Sequence, residues 1–267
     1  LRWERHTEFS TYTLVRKGDT RTPFSSSVLS LLPANWLSEL PGQLLSALHV
    51  ELADAPADEP LPEEIRQHFE GHRLISSEVK ERRARLWSAY RIHSDGSGRI
   101  LIHNRGLNAC QSGRLVRTLL EMETYRMMLL LALPMAKAIA PAVKAMDQQL
   151  ATVIQQINQI ADLDDERQLL AELSSLAAQI EKLISDNNFR FSATQAYYEL
   201  IINRLDEMRE QEVSGLQTFS VFLQRRLTPA WRTCEAIRND LNDLSRRIDR
   251  ASELLRTRID LTIEAQN

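Results

Sequence analysis

Apolar residues spaced alternately three and four positions apart most limit how this chain can fold. Near the end of the sequence, seven of them form an unbroken series: Cys234, Ile237, Leu241, Leu244, Ile248, Ala251 and Leu255. This spacing places them along one side of a helix, as in the seam of a coiled coil. Two similar series lie between residues 143 and 184. They predict a helical hairpin over 143–184 and a C-terminal stalk helix over 229–267, whose seam packs either internally or against a second copy.

Glycine and proline divide the chain into two parts. Residues 1–110 contain six of each, whereas residues 111–267 contain two glycines and three prolines. These residues interrupt regular structure, so the two parts must be built differently. We predict an α+β fold, with a mixed α/β head domain over 1–110 followed by a long-helix, coiled-coil-like helical domain over 111–267.

Local patterns predict the elements of each domain. In the head, strands are expected over 8–17, 73–79, 84–93 and 99–103, and helices over 33–40 and 62–70. Segment 44–52 is ambiguous between helix and strand. The turn residues 95–98 predict a hairpin. In the helical domain, several residues are expected to begin, kink or interrupt helices: Ser112, Pro134, Pro141, Asn187, Asn188, Ser192, Thr228 and Pro229.

Charge and composition exclude several classes of protein. The chain has 33 basic and 36 acidic residues, which argues against a dedicated nucleic-acid binder because phosphate recognition needs a basic excess. Two cysteines, Cys110 and Cys234, lack a metal or redox spacing and are expected to be reduced. The longest apolar stretch, 127–136, is shorter than the ~20 residues of a membrane span. The helical pattern still continues at the last residues, so we expect more chain to follow.

Three groups of residues could bind ions or do chemistry. Arg2, Glu4, His6 and Glu8 stand at every second position, so a strand would place their side chains on one face. On that face they would form either solvated ion pairs or an ion-binding or acid–base site. A second group, on the first turns of a long helix, predicts an ion-pair network with the head or an anion site: Arg114, Arg117, Glu121, Glu123 and Arg126.

The third group is an acidic tip between two predicted helices. Asp162, Asp164 and Asp165 are explained by helix capping, and a weak Mg²⁺ site is the alternative. No other cofactor is indicated. The sequence spacing of the remaining histidines indicates no metal or catalytic site, because His49, His93 and His103 are isolated and Gly71 separates His68 from His72. We therefore predict that the chain is not an enzyme.

Several segments, in order along the chain, resemble the bacterial family of predicted membrane-anchored proteins known as domain of unknown function 3422. The resemblance spans essentially the whole chain and rests on segments 2–13, 112–116, 123–126, 189–193, 196–198, 233–235 and 254–258. It implies a soluble part joined to the bacterial inner membrane by a C-terminal segment beyond the last residue, and it brings no established activity.

These observations predict a non-catalytic cytoplasmic domain of a membrane-anchored protein, acting as a homo-oligomeric scaffold or sensor. The alternative is the regulatory domain of a CorA-like divalent-cation channel or transporter, whose domain order is similar. Binding of nucleic acid is not expected.

Overall fold

The structure is a computed structural model that describes residues 1–18, 22–56, 60–157, 159 and 162–266. Part of the predicted hairpin (158, 160 and 161) and the last residue of the predicted stalk therefore lie outside the described residues. The chain divides into two compact units, here called unit 1 (Leu1–Met127 and Ile201–Gln224) and unit 2 (Met128–Leu200 and Arg225–Asn267).

This division differs from the predicted boundary at residue 110. Residues 111–127 belong to unit 1, because the first turns of their helix carry side chains that are buried there, among them Leu115, Leu119 and Met122. The segment Ile201–Gln224 also returns to unit 1. Each unit is therefore built from two separate stretches of sequence.

Unit 1 is organised around a five-stranded sheet. The strands of this unit are β1 (Arg2–Arg5), β2 (Ser10–Thr13), β3 (Leu48–Asp54), β4 (Ile75–Val79), β5 (Ala84–Ser88), β6 (Gly98–Asn104) and β7 (Gln211–Glu212). The five strands of the sheet have the order β3-β6-β5-β4-β7, with β3 parallel to β6 and every other pair antiparallel. A separate antiparallel pair is formed by β1 and β2.

One face of this sheet supports a small aromatic core. Trp87 and Leu101 are paired across β5 and β6 and are fully buried. They pack with Ile65 and Phe69, which α1 (Pro62–Gln67) and the turn after it provide. Glu63 and Glu64 in the first turn of α1 suit the positive end of the helix dipole. The predicted helix over 62–70 is thus present but shorter.

Three head predictions are corrected by the structure, and an open one is resolved. Residues 33–40 form hydrogen-bonded turns rather than a helix. The ambiguous segment 44–52 leads into β3 as a strand. The strand expected over 8–17 is limited to Ser10–Thr13. The hairpin is looser than predicted, since β5 ends at Ser88 and residues 89–97 connect it to β6. Tyr90, in that connection, has a φ of 47°, which no strand accommodates.

Three long helices make up most of the remaining chain, and the predicted α+β class is confirmed. They are α2 (Ala109–Ile157), α3 (Leu163–Met208) and α4 (Phe219–Gln266). Asn108, not Ser112, caps α2: its side-chain oxygen accepts the Gln111 N–H, and the Gln111 side chain accepts the Asn108 N–H.

The predicted helix interruptions are absent. Pro134 and Pro141 lie inside α2, and Pro229 lies inside α4, which begins ten residues before the predicted stalk. Asn187 sits inside α3, where its side-chain amide donates to the Leu183 carbonyl. A proline removes one helical hydrogen bond, but packing along more than 45 residues outweighs that local loss.

The core of unit 2 is formed by the predicted seams. The α4 series is buried together with side chains of α2 and α3, including Leu150, Leu173 and Leu176. Internal packing, one of the two alternatives for the seam, is therefore what the structure shows for these residues.

Candidate functional site

Four histidines and an arginine come together on one side of the unit 1 sheet. His49 in β3 is the register partner of Arg99 in β6. His68 and His72 lie in the turn after α1, and His93 lies in the connection between β5 and β6. We call these five residues the histidine cluster. It joins side chains that are far apart in the sequence.

Arg99 connects the loops of this cluster. Its guanidinium donates to the His68 carbonyl at 2.9 Å, to Asp95 at 3.0 Å and to Glu70 at 3.4 Å. Burial opposes ionisation of Asp95, but hydrogen bonds from Ser97 and Arg99 prevail and lower the pKa of Asp95 to about 2. The positive charge of Arg99 is thus compensated by two carboxylates of its own unit.

Aromatic and imidazole rings form a continuous row beside Arg99. Ring centroids are separated by 5.1 Å from His49 to Phe24, 5.6 Å from Phe24 to Phe69, 5.9 Å from Phe69 to His93 and 5.6 Å from His93 to His72. Edge-to-face contacts of this kind fix ring orientation as well as burying apolar area. The row therefore holds His93 between an aromatic ring and a second imidazole.

The environment keeps three of these imidazoles neutral near pH 7. Burial lowers the pKa of His49, His68 and His93 below the usual 6.5. For His49 the carboxylate of Glu51, 3.5 Å from Nε2, partly opposes this effect. Neutral imidazoles keep one nitrogen lone pair, which can accept a hydrogen bond or bind a metal.

His93 is the most enclosed member, with 4% of its surface exposed. Its Nδ1 lies 3.2 Å from the carbonyl oxygen of Ser97. A carbonyl can only accept, so Nδ1 carries the proton in the neutral ring and Nε2 carries the lone pair. Nε2 is buried and has no hydrogen-bond partner among the described residues.

Sequence reasoning missed this cluster. It treated His49 and His93 as isolated and separated His68 from His72 at Gly71, which does end the helical region with a φ of +74°. The parallel pairing of β3 with β6 joins positions about 50 residues apart, and no local spacing encodes it.

The predicted arginine–glutamate network divides into two groups within unit 1. Arg117 binds Glu121 at 2.7 Å, and Glu121 also binds Arg204 of α3 at 3.0 Å. Farther along α2, Glu123 and Arg126 form a two-bond pair at 2.6 and 2.7 Å. Arg114 lies outside both groups, with Nη2 3.6 Å from Cys110 Sγ.

These contacts favour the ion-pair interpretation over anion binding. Ser46, in the head, donates to Glu123 at 3.2 Å, and the Arg126 guanidinium lies 5.6 Å from the Tyr90 ring centroid. The pair of Glu123 and Arg126 is mostly buried, and each charge has its partner. A carboxylate therefore occupies the position that an anion would need.

The acidic tip does not form a metal site. Asp164 and Asp165 are exposed in the first turn of α3, and Arg167 lies 3.5 Å from Asp164. The carbonyl of Asp162 accepts the Glu166 N–H. Within the described part of the chain, no three His, Cys, Asp or Glu side chains are grouped so that they could hold a metal ion.

The predicted strand face is also not formed as a unit. β1 ends at Arg5, so His6 and Glu8 lie in the turn that follows. His6 is exposed and stacks on Phe9, whereas Glu4 pairs with Arg2 at 2.7 Å. The alternation fails because the chain turns after only four strand residues.

A second candidate surface lies on α2. At 100° per residue, six apolar side chains share the side of the helix opposite its buried seam: Leu131, Pro134, Ala138, Pro141, Ala142 and Ala145. All are exposed except Leu131, which is half-buried. We call this set the outer face of α2. The exposed side of α4 is charged instead, with Asp240, Asp243, Arg246, Asp249, Arg250, Glu253 and Arg256.

The charged residues near the outer face are all basic. No Asp or Glu occurs between Glu123 and Asp147, while Lys137 and Lys144 both lie along one edge of the face, about 90° and 110° from its centre. By length and composition, α2 is the one helix in the described residues that could cross a membrane. Its most apolar 18-residue window has a mean hydropathy of 1.5 and is 28% buried. A core helix of a soluble protein meets the same test, so α2 is a candidate by length and composition only.

Comparison with known proteins identifies the family. No curated protein and no solved structure matches the chain. A family of proteins of unknown function, DUF3422, matches residues 1–267. The match covers the whole chain, and the chain belongs to the DUF3422 family.

Proposed function

We propose that this chain is a non-catalytic scaffold or sensor domain of a membrane-attached protein, and that the outer face of α2 lies against an anionic phospholipid surface. The observation that carries the proposal is an exposed helix face that is apolar and free of acidic residues. A helix that is apolar on all sides normally has partners on all sides. The seam of α2 has its partners in unit 2, whereas the outer face is exposed among the described residues apart from half-buried Leu131.

The charge pattern selects the kind of partner. Lys137 and Lys144 are the only charged residues between Arg126 and Asp147, and both are basic and exposed. Each basic side chain near an anionic membrane contributes about 1 kcal/mol to binding. In a symmetric contact with a second copy, basic edges would meet one another and repel. An anionic lipid surface suits this combination better.

The test is vesicle co-sedimentation of the whole chain. We expect binding to vesicles that contain phosphatidylglycerol, and weak binding to pure phosphatidylcholine. Ala138→Glu with Ala142→Glu places two acids on the outer face and should abolish binding. Lys137→Glu with Lys144→Glu should also weaken vesicle binding. Loss of two contributions of ~1 kcal/mol predicts a decrease of roughly thirtyfold, and the two added negative charges should make the decrease larger.

Ala236→Glu is the matched control, because Ala236 is exposed on α4, also in unit 2. It should leave vesicle binding unchanged. Equal loss in the control, or no binding by the unaltered chain, overturns the proposal. So does a dimer, seen by light scattering without lipid, that Ala138→Glu dissociates, because the face would then bind a second copy.

Homo-oligomerisation, attachment through a C-terminal segment and a cytoplasmic position at the bacterial inner membrane remain parts of this proposal. The CorA-like alternative stays a prediction, and the arrangement of Asp162, Asp164 and Asp165 does not favour it.

A further inference from the structure

We infer that His72 and His93 form a site for a divalent transition-metal ion such as Zn²⁺ or Ni²⁺, bound by one imidazole nitrogen from each residue. The inference concerns unit 1 and goes beyond the proposed attachment to lipid through α2. It starts from the single buried imidazole nitrogen of His93 whose bonding is incomplete.

The bonding of His93 is that of a metal ligand. An imidazole that binds a metal through one nitrogen usually donates its other N–H to a carboxylate or to a backbone carbonyl, which fixes the tautomer. In His93 the Ser97 carbonyl has this role toward Nδ1. The lone pair is thereby assigned to Nε2, the nitrogen that would bind the metal.

The incomplete bonding calls for an explanation. A buried polar atom without a partner destabilises the fold, because nothing replaces the hydrogen bonds that it made with water. Nε2 of His93 has no partner among the described residues, although the ring itself is held by Ser97 and Phe69. A cation at Nε2 would remove this cost and would use the lone pair.

The distance from His93 to His72 suits a second ligand. Its ring centroid is 5.6 Å from that of His93. Two imidazoles on one tetrahedral Zn²⁺, with Zn–N distances of about 2.0–2.1 Å, have centroids about 5 Å apart. His72 is half-buried and so provides a route from solvent.

The set of available ligands defines the class of metal. Glu70 is held by Ser94 and Arg99, and Asp95 is held by Ser97 and Arg99, so neither is free to join the imidazoles. Water must then complete the coordination, which makes the site weaker than a four-ligand structural zinc site. Imidazole nitrogen favours Zn²⁺, Ni²⁺ and Cu²⁺ over Mg²⁺ and Ca²⁺, which prefer oxygen.

Isothermal titration of the whole chain with Ni²⁺ and Zn²⁺ tests the inference. We expect one saturable site that a large excess of Mg²⁺ does not displace. His72→Ala and His93→Gln should each weaken binding at least about tenfold. Saturating Zn²⁺ should also raise the thermal midpoint of the unaltered chain but not that of His72→Ala.

His6→Ala is the control, since His6 is an exposed imidazole outside the cluster. It should bind the metals as the unaltered chain does. The absence of saturable binding, or equal binding by His72→Ala, overturns the inference even if His93→Gln fails to fold. Because vesicle binding requires none of these histidines, failure of this site and failure of the proposed function can be told apart.

Discussion

Units 1 and 2 bury different kinds of side chain. Among the described residues, unit 2 buries only three polar side chains: Glu166, Asn187 and Thr194. Unit 1 buries ten: Ser76, Ser77, Arg85, Ser88, His93, Ser97, His103, Ser112, Glu123 and Thr218. The two units therefore depend on different forces, apolar area in unit 2 and specific hydrogen bonds in unit 1.

The difference follows from how each backbone is satisfied. A long helix pairs its own N–H and C=O groups, so the core of unit 2 needs only apolar side chains. Unit 1 has loops and strand ends whose backbone groups need side-chain partners. Ser88 Oγ, for example, donates to the Arg99 carbonyl, and Asn104 Oδ1 accepts the N–H groups of Gly106 and Leu107.

The largest expected effect tests the apolar seam of unit 2. Leu173→Ala should lower the free energy of unfolding by about 2–5 kcal/mol, because Leu173 is fully buried and truncation leaves a cavity. Urea unfolding with hydrogen exchange over residues 128–200 measures the loss and locates it. Leu254→Ala, at a position 61% exposed on α4, is the control and should cost little. A loss below about 1 kcal/mol for Leu173→Ala would break the comparison.

Acidification should separate the two units. Burial, together with the charges of Arg105 and Arg85, lowers the pKa of His103 from 6.5 to about 4. At a pH between these two pKa values the unfolded chain binds more protons than the folded one. The free energy of unfolding therefore decreases as the pH falls from 6.5 to 4. The shift corresponds to about 3 kcal/mol for His103.

The four histidines whose pKa values burial lowers, His49, His68, His93 and His103, all lie in unit 1, so hydrogen exchange should accelerate there and much less in unit 2. His103→Gln should flatten the pH dependence of the unit 1 urea midpoint and leave that of unit 2 unchanged. Equal acid sensitivity in the two units would contradict the comparison.

The smallest effect concerns one carboxylate in unit 1. Glu210 accepts the backbone N–H groups of Phe219 at 2.7 Å and Ser220 at 2.9 Å, and also binds the Ser77 hydroxyl. Glu210→Ala should cost roughly 1–3 kcal/mol, because it removes the carboxylate that accepts two N–H groups at the start of α4. Thermal unfolding measures the change. Glu212→Ala, at an exposed residue of β7, should be nearly neutral; a similar cost for both variants would show that the cap is unimportant.

Sequence spacing predicted the unit 2 core well, because a seam is encoded by residues within a few turns of one another. Leu241, Leu244 and Ile248 are buried as their spacing requires. The predicted helix ends at Asn187 and Pro229 were wrong, because local propensity is weak against packing over a whole helix. The histidine cluster was not predictable in this way, because it depends on the pairing of β3 with β6.

The chain passes between units 1 and 2 at residues 127–128, 200–201 and 224–225, and each passage lies within a continuous helix. A helix turns by about 100° per residue, so inserting or deleting one residue near a passage would rotate a seam out of phase with the residues on the other side. Length changes among family members are therefore expected to avoid these three points. They should accumulate outside the helices, where an added residue disturbs no helical phase.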